Sequence, residues 1–408
     1  MQHKLPGYAL LALLLGGLSM VSPFSIDTFF PAFHAMERGL HVNAWQLQQV
    51  LSAYMLTFAF ASLVHGPLSD AIGRRPVMIG GMVLYTVGSI ACMLAPNYYA
   101  LIAARVLQGA TAGVGIVIGR AVIRDLYEGP RAQHLMSMTT MIFSIAPAIA
   151  PVIGGWVHVA YGWRAVFAVM VICGIIFSFS AWWRLPETHP VSARIPFNAR
   201  NLVATSVTVL RHREFLMLAL AAAVNFSSLA CFIGAAPAIV ERHWHLGETD
   251  YWQLFLPVIG GILTGAIIST RIAGRMNLVQ QVRFGFGLTF AATAIRVLVH
   301  FAVAAPPRGL QQAILFFAAI GVQFAFPVLT LRMLDLFPAA RGTAAAAQSF
   351  VALIVTAFTL GIVAPIVLWK LEWLAWTALA FTSLAAVFWY LARRWHDRSV
   401  PGAADSSV

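Results

Sequence analysis

Residues 8–30 read Tyr8-Ala-Leu-Leu-Ala-Leu-Leu-Leu-Gly-Gly-Leu-Ser-Met-Val-Ser-Pro-Phe-Ser-Ile-Asp27-Thr-Phe-Phe30. Asp27 is the only charged residue in this stretch. About 20 apolar residues are enough to cross a hydrocarbon core of about 30 Å as a helix. A cleaved signal peptide has a shorter apolar region followed by a small-residue cleavage site, so the stretch reads as a retained first helix. β-Barrel strands would be near ten residues long and alternate in polarity, which this run does not.

Runs of the same kind recur along the 408 residues. The expected spans are 8–31, 47–65, 77–95, 98–121, 135–159, 164–184, 215–239, 252–270, 284–303, 310–331, 343–367 and 373–392. Hydrophobic residues make up 60% of the chain and charged residues 10%. A soluble domain has about 45–50% and about 25%. The fold class expected is therefore an all-α membrane protein of twelve transmembrane helices.

The net charge of +12 does not mark a nucleic-acid binder, because the cations sit in short loops at the span ends. Counted on alternate loops, 19 of the 26 Lys and Arg fall on one side, Lys4, Arg74 and Arg75 among them. Five, including Arg38 and Arg164, fall on the other, and Arg105 and Arg296 lie within spans. The positive-inside rule then puts both termini in the cytoplasm. The longest non-apolar stretch, Pro186 to Glu214, separates six spans from six. The expected domains are a bundle over 1–185, a cytoplasmic linker over 186–214 and a second bundle over 215–408. Two such halves suggest a pseudo-symmetric transporter with a central cavity. The short run Arg271-Ile-Ala-Gly-Arg275 is a faint internal echo of the loop after span two.

A carboxyl within a membrane span is costly and usually faces a cavity or a proton pathway. Asp27 is the one such acid, although near the outer interface it could also be merely hydrated. Pro23 and Pro31 stand four residues to either side and favour a kink. Arg105, in span four, needs a partner: a substrate anion, a nearby carboxylate or backbone carbonyls. Gln108 lies one turn on and is a candidate wall of the substrate cavity. Arg296 sits closer to an interface, where it can snorkel. The stretch Gly66-Pro-Leu-Ser-Asp70-Ala-Ile-Gly73-Arg74-Arg75-Pro76 reads as a charged turn, with Asp125 a candidate partner for Arg74. Span five carries Ala146-Pro147-Ala-Ile-Ala-Pro151-Val-Ile-Gly154-Gly155, small residues and prolines that permit close packing and bending. Tyr54, Phe58, Phe226 and Phe324 are candidate walls of a lipophilic cavity. Asn225 and Gln323 serve either as cavity contacts or as helix-packing groups. Cys92, Cys173 and Cys231 fall inside spans and read as packing residues. No histidine pair has metal spacing, and no cofactor is called for. A membrane enzyme would show a nucleophile–base pair or clustered His and acids, and none appears.

These stretches resemble a known family. Gly66 to Pro76 resembles the signature loop of the major facilitator superfamily. Arg105-Val-Leu-Gln108-Gly109 resembles the span-four motif of its drug exporters. Ala146 to Gly155 resembles their antiporter motif, with Ala146 and Ala150 where Gly is common. Ser25-Ile-Asp27-Thr-Phe-Phe-Pro31-Ala32, Arg124-Asp125-Leu-Tyr127, Leu334-Asp335-Leu-Phe-Pro338 and Gly342-Thr343-Ala344 look like the Bcr/CflA branch of drug-resistance transporters. The resemblance implies a monomeric antiporter in the bacterial inner membrane that exports drug-like molecules against protons and confers antibiotic resistance. It implies that Asp27 is protonated, that Arg105 is coupled to it, and that Gly66, Asp70, Gly73, Arg74, Arg75 and Asp125 form a cytoplasmic gate. Some relatives carry a second acid earlier in span one. Here Ser19, Met20 and Pro23 occupy those positions, which implies one proton per cycle and neutral or anionic cargo. Export of a metabolite such as an amino acid, or uniport, would use the same fold. Beyond cargo, protons and membrane lipid, no partner is expected.

Overall fold

The computed structural model describes residues 7–272, 275–303 and 306–399, and every regular element in them is helical. Lys4 and the Ala273 and Gly274 of the internal echo lie outside the described residues. Twelve helical stretches are long and apolar enough to cross a membrane. They are Tyr8–Leu40, Ala44–Ile72, Arg74–Met93, Tyr98–Leu126, His134–Tyr161, Trp163–Arg184, Arg213–Gly234, Trp252–Ile272, Leu278–Ala302, Arg308–Asp335, Arg341–Val367 and Leu371–Trp395. They are spans one to twelve below. Large apolar side chains stay exposed along them, among them Leu13, Phe60, Ile175 and Phe290. Lipid accepts such a surface and water does not.

The helices outrun their apolar cores. Span two continues through Gly66 and Pro67 to Ile72, so Gly66 is helical and only Gly73 makes the turn. Polar helix ends are invisible to a reading based on hydropathy. Three spans are interrupted, each for a local reason. In span one the first helix ends at Asp27, followed by a 3₁₀ turn at Phe30–Ala32 and a helix at Phe33–Leu40. Pro31 has no N–H to bond the Asp27 carbonyl four residues back. The expected kink is thus a full break, and Asp27 is a helix terminus. Span four breaks at Gly113, between Tyr98–Ala112 and Val114–Leu126. Span eleven relaxes into a π turn at Thr359–Val363, just before Pro365.

By its contacts the chain forms two units, Met1–Leu202 with Val240–Phe255, and Val203–Ile239 with Leu256–Val408. In the first, span one packs on span five and span three on span six. In the second, span seven packs on span eleven and span nine on span twelve, which repeats the first pattern six helices later. Segment 240–255 joins the first unit through specific bonds. The Tyr251 hydroxyl contacts Glu241 (2.8 Å) and the Phe30 carbonyl (3.2 Å). His34 lies 2.8 Å from Glu241, and His158 lies 3.1 Å from Glu248. The stretch between the bundles is not all loop, since Ala199–Arg211 is helical and Val209 enters the second unit's core beside Phe215 and Leu218.

Candidate functional site

The first unit holds a buried polar network built from spans one to four. Asp27 is 6% exposed, and no hydrogen bond or ion pair reaches its carboxyl among the described residues. Arg105 is 0% exposed. Its Nη1 donates to Gln108 Oε1 (2.6 Å) and to the Ser25 carbonyl (3.2 Å). Its Nε and Nη2 have no hydrogen-bond partner among the described residues. The guanidinium lies over the rings of Phe29 and Tyr54, with its carbon 4.8 Å and 4.5 Å from their centroids. No hydrogen bond or ion pair joins Asp27 to Arg105, although the resemblance implies coupling between them. The free Nε–Nη2 edge is the side of a guanidinium that matches a carboxylate with two hydrogen bonds.

The hydroxyls around Arg105 and Gln108 carry no readable signal in the sequence. Gln108 Nε2 donates to Ser89 Oγ (2.8 Å) and lies 3.6 Å from Met170 Sδ. Ser25 Oγ donates to the Val21 carbonyl (2.7 Å) and also meets the Tyr85 hydroxyl. Tyr54 OH donates to the Ser22 carbonyl (3.2 Å). Serines in an apolar helix usually back-bond within it. Only the fold shows that the Ser25 carbonyl reaches Arg105 and that Ser89 Oγ takes Gln108. Tyr54 and Gln108, expected as cavity walls, are wholly buried inside this network, and Phe58 packs edge-on to Tyr54 at 6.4 Å.

The other expected cavity residues belong to the second unit. Asn225 is buried, and its Oδ1 has no hydrogen-bond partner among the described residues. Phe226 and Gln323 are half-buried. Phe324 is wholly buried against Phe284, 5.1 Å away. Arg296 does not snorkel. It is 4% exposed, donates from Nη2 to the Gln311 carbonyl (2.9 Å) and lies over the Phe232 ring at 4.1 Å. No carboxylate pairs with it among the described residues. No cluster of three or more His, Cys, Asp or Glu suited to a metal occurs there either.

The charged stretch closes on Arg74. Its Nε donates to Asp125 Oδ2 (3.0 Å), and its Nη1 donates to Ser69 Oγ (2.6 Å) and to Asp70. Gly73 turns the chain at φ +117°, a conformation side chains resist. Arg75 instead donates to the Trp182 carbonyl (2.6 Å), so it serves a different contact from Arg74.

Span five faces span one with a ladder of small residues. Pro147 and Pro151 lie within an unbroken helix, Gly129–Tyr161. The methyls of Ala146 and Ala150 pack on Phe24. One turn on, Gly154 meets the backbone of Thr28, where a Cβ would collide with its carbonyl. A Cβ on Gly155 would likewise collide with the Glu248 carbonyl. Alanine therefore fits at the two positions that depart from the motif, because a ring rather than a backbone lies opposite.

Comparison with known proteins agrees with this architecture. A family model described as Major Facilitator Superfamily matches residues 15–360. The chain is 30% identical over 338 residues to multidrug resistance protein D of Escherichia coli, covering 82% of this chain and 84% of that one. It is 26% identical over 278 residues to a bicyclomycin resistance protein homolog of Haemophilus influenzae, covering 68% and 70%. Those names agree with the Bcr/CflA resemblance. A crystal structure of a human organic anion transporter superposes with a TM-score of 0.71 at 15% identity, covering 95% of this chain and 100% of that one. With twelve helical spans, a repeated packing pattern and a family match over most of its length, this multi-pass membrane protein belongs to the major facilitator superfamily of transporters.

Proposed function

We propose that this transporter exports small drug-like molecules from the bacterial cytoplasm across the inner membrane, in exchange for protons and by alternating access. The observation that carries the reading is Asp27, buried at a helix terminus, its carboxyl without a hydrogen bond or ion pair among the described residues. An ionised carboxylate left alone in such a place is costly, so a proton or a cation must cancel its charge. A carboxylate brought to the Nε–Nη2 edge of Arg105 would find two hydrogen-bond donors there that no group among the described residues occupies. The drug-like cargo rests on relatives named for multidrug and bicyclomycin resistance. In this reading Tyr54, Phe58, Gln108, Asn225, Phe226, Gln323 and Phe324 belong to the cargo path. Gly66, Asp70, Gly73, Arg74, Arg75 and Asp125 gate its cytoplasmic side, and Pro147, Pro151, Gly154 and Gly155 let span five bend. The protein works as a monomer with both termini in the cytoplasm, and its halves are 1–185 and 215–408, joined by 186–214.

The test is a panel of antimicrobials applied to a drug-sensitive bacterium expressing the protein, followed by exchange measurements in liposomes. Wild type should raise tolerance to part of the panel and release protons when its substrate is added. Asp27→Asn should lose exchange against a pH gradient. Normal exchange in that variant would sink the assignment. A competition series with amino acids and other metabolites separates drug-like from metabolite cargo.

A further inference from the structure

The first residues after span six lie against the charged stretch. Glu187 Oε1 accepts the Arg74 backbone N–H (2.9 Å) and that of His189 (3.0 Å). Its Oε2 lies 3.9 Å from Arg194 Nη2. Thr188 Oγ1 donates to Asp125 Oδ2 (2.8 Å), the same oxygen that takes Arg74 Nε. The Ile195 N–H donates to the Asp70 carbonyl (3.3 Å). Residues 187–195 thus bond to the end of span two, the start of span three and the end of span four.

The contact at Arg74 has a clear physical origin. A helix start leaves its first N–H groups without partners and favours a negative charge. Such groups are usually served by a side chain at the N-cap. Here the N-cap is Gly73, which has none. Glu187 takes that role from 113 residues away. A Cβ on Gly73 would run into the Glu187 carboxylate and Arg194 Nη2, so the glycine also makes room for the carboxylate. Arg74 is then held at both ends, its backbone by Glu187 and its side chain by Ser69, Asp70 and Asp125.

We infer that Glu187 and Thr188 are positioning residues of the cytoplasmic gate, and that residues 187–195 form a strap that must release before Arg74 and Asp125 can part. This rests on the gate role given above to Asp70, Arg74 and Asp125. It assigns the start of the linker a mechanical task beyond tethering.

Hydrogen–deuterium exchange on the full-length protein in lipid nanodiscs tests the strap without a known substrate. In Glu187→Ala, amides in 70–78 should exchange at least about threefold faster, while those of Leu278–Ala302 stay as in wild type. Thr188→Val should speed exchange in 120–128, and Thr188→Ser should restore it. In an Asp125→Ala background, which removes the acceptor, Thr188→Val should add nothing, a non-additivity expected only of residues that act through one another. Unchanged exchange in 70–78, or acceleration spread over the whole chain, would overturn the proposal. The same variants, expressed in the drug-sensitive strain, should lose tolerance on the antimicrobial panel. Faster exchange with wild-type tolerance would show that the strap does not position the gate. Failure of the export reading itself looks different: wild type would then give no tolerance at all, and the gate assignment would fall with it.

Discussion

Gly154→Ala adds one methyl where span five meets the Thr28 backbone. The ideal Cβ falls well inside contact with the Thr28 carbonyl oxygen and 3.3 Å from its Cα. The obstacle is main chain, so no rotamer change can clear it, and the two helices must part by about an ångström. Gaps of about 0.5–1 Å forfeit a quarter to a half of each contact along the seam. Overpacking of this kind costs about 1–3 kcal/mol. The contacts at risk include Phe24 on Ala146 and Ala150. If that cost falls on this arrangement alone, its population relative to alternatives drops about 5- to 150-fold, at tenfold per 1.4 kcal/mol. Thr28 is the neighbour of Asp27, so proton exchange should suffer along with stability. The assay is heat-induced unfolding in detergent alongside substrate-driven proton release in liposomes. Ala150→Gly is the control: it opens a gap beside Phe24 without moving the backbone, and proton release should stay near wild type. Wild-type stability together with exchange within twofold of wild type in Gly154→Ala would refute the reasoning.

Arg105→Lys keeps the charge and can still reach Gln108, but it loses the Nε–Nη2 edge and the planar surface over Phe29 and Tyr54. Its maximal exchange rate in liposomes should fall at least about tenfold while the protein still folds, and a rate within twofold of wild type would show that the edge is not used. Arg296→Met removes a buried cation that has no carboxylate, and the Gln311 carbonyl it leaves lies in a helix. Unpaired buried charge is expensive, so thermal unfolding should show a loss of no more than about 1 kcal/mol. A loss of several kcal/mol would point to a bound anion that Arg296 neutralises.

The architecture was legible because lipid imposes a coarse rule: about 20 apolar residues make a span. That rule finds spans and misplaces their ends, as at Ile72, where the helix runs on through Gly66 and Pro67. The break at Asp27 was half legible. Pro31 signals a disturbance, but whether it yields a kink or a terminus depends on what the freed carbonyl meets. Arg74 and Asp125 could be paired from charge alone, since both lie at span ends that the count of alternate loops puts on one side. Glu187 could not, because a cap supplied from 113 residues away has no local signature. The same holds for Tyr251 and His34, whose shared contact with Glu241 draws segment 240–255 into the first unit. The polar network around Arg105 was visible only as isolated serines and tyrosines. Their convergence is a property of helix rotation, which an all-apolar helix does not record in its pattern.

Arg105 is held by Gln108, by the Ser25 carbonyl and by two aromatic rings, whereas Asp27 is the last residue of a broken helix, and no hydrogen bond or ion pair among the described residues reaches its carboxyl. In the exchange proposed above, the arginine is then the fixed pole and the carboxyl the switched one. Neutralising that single side chain removes a charge at the break in span one, a point already gripped through the Ser25 carbonyl, the Thr28 backbone and the Phe30 carbonyl, so a proton would be felt first as a change of load on those three contacts.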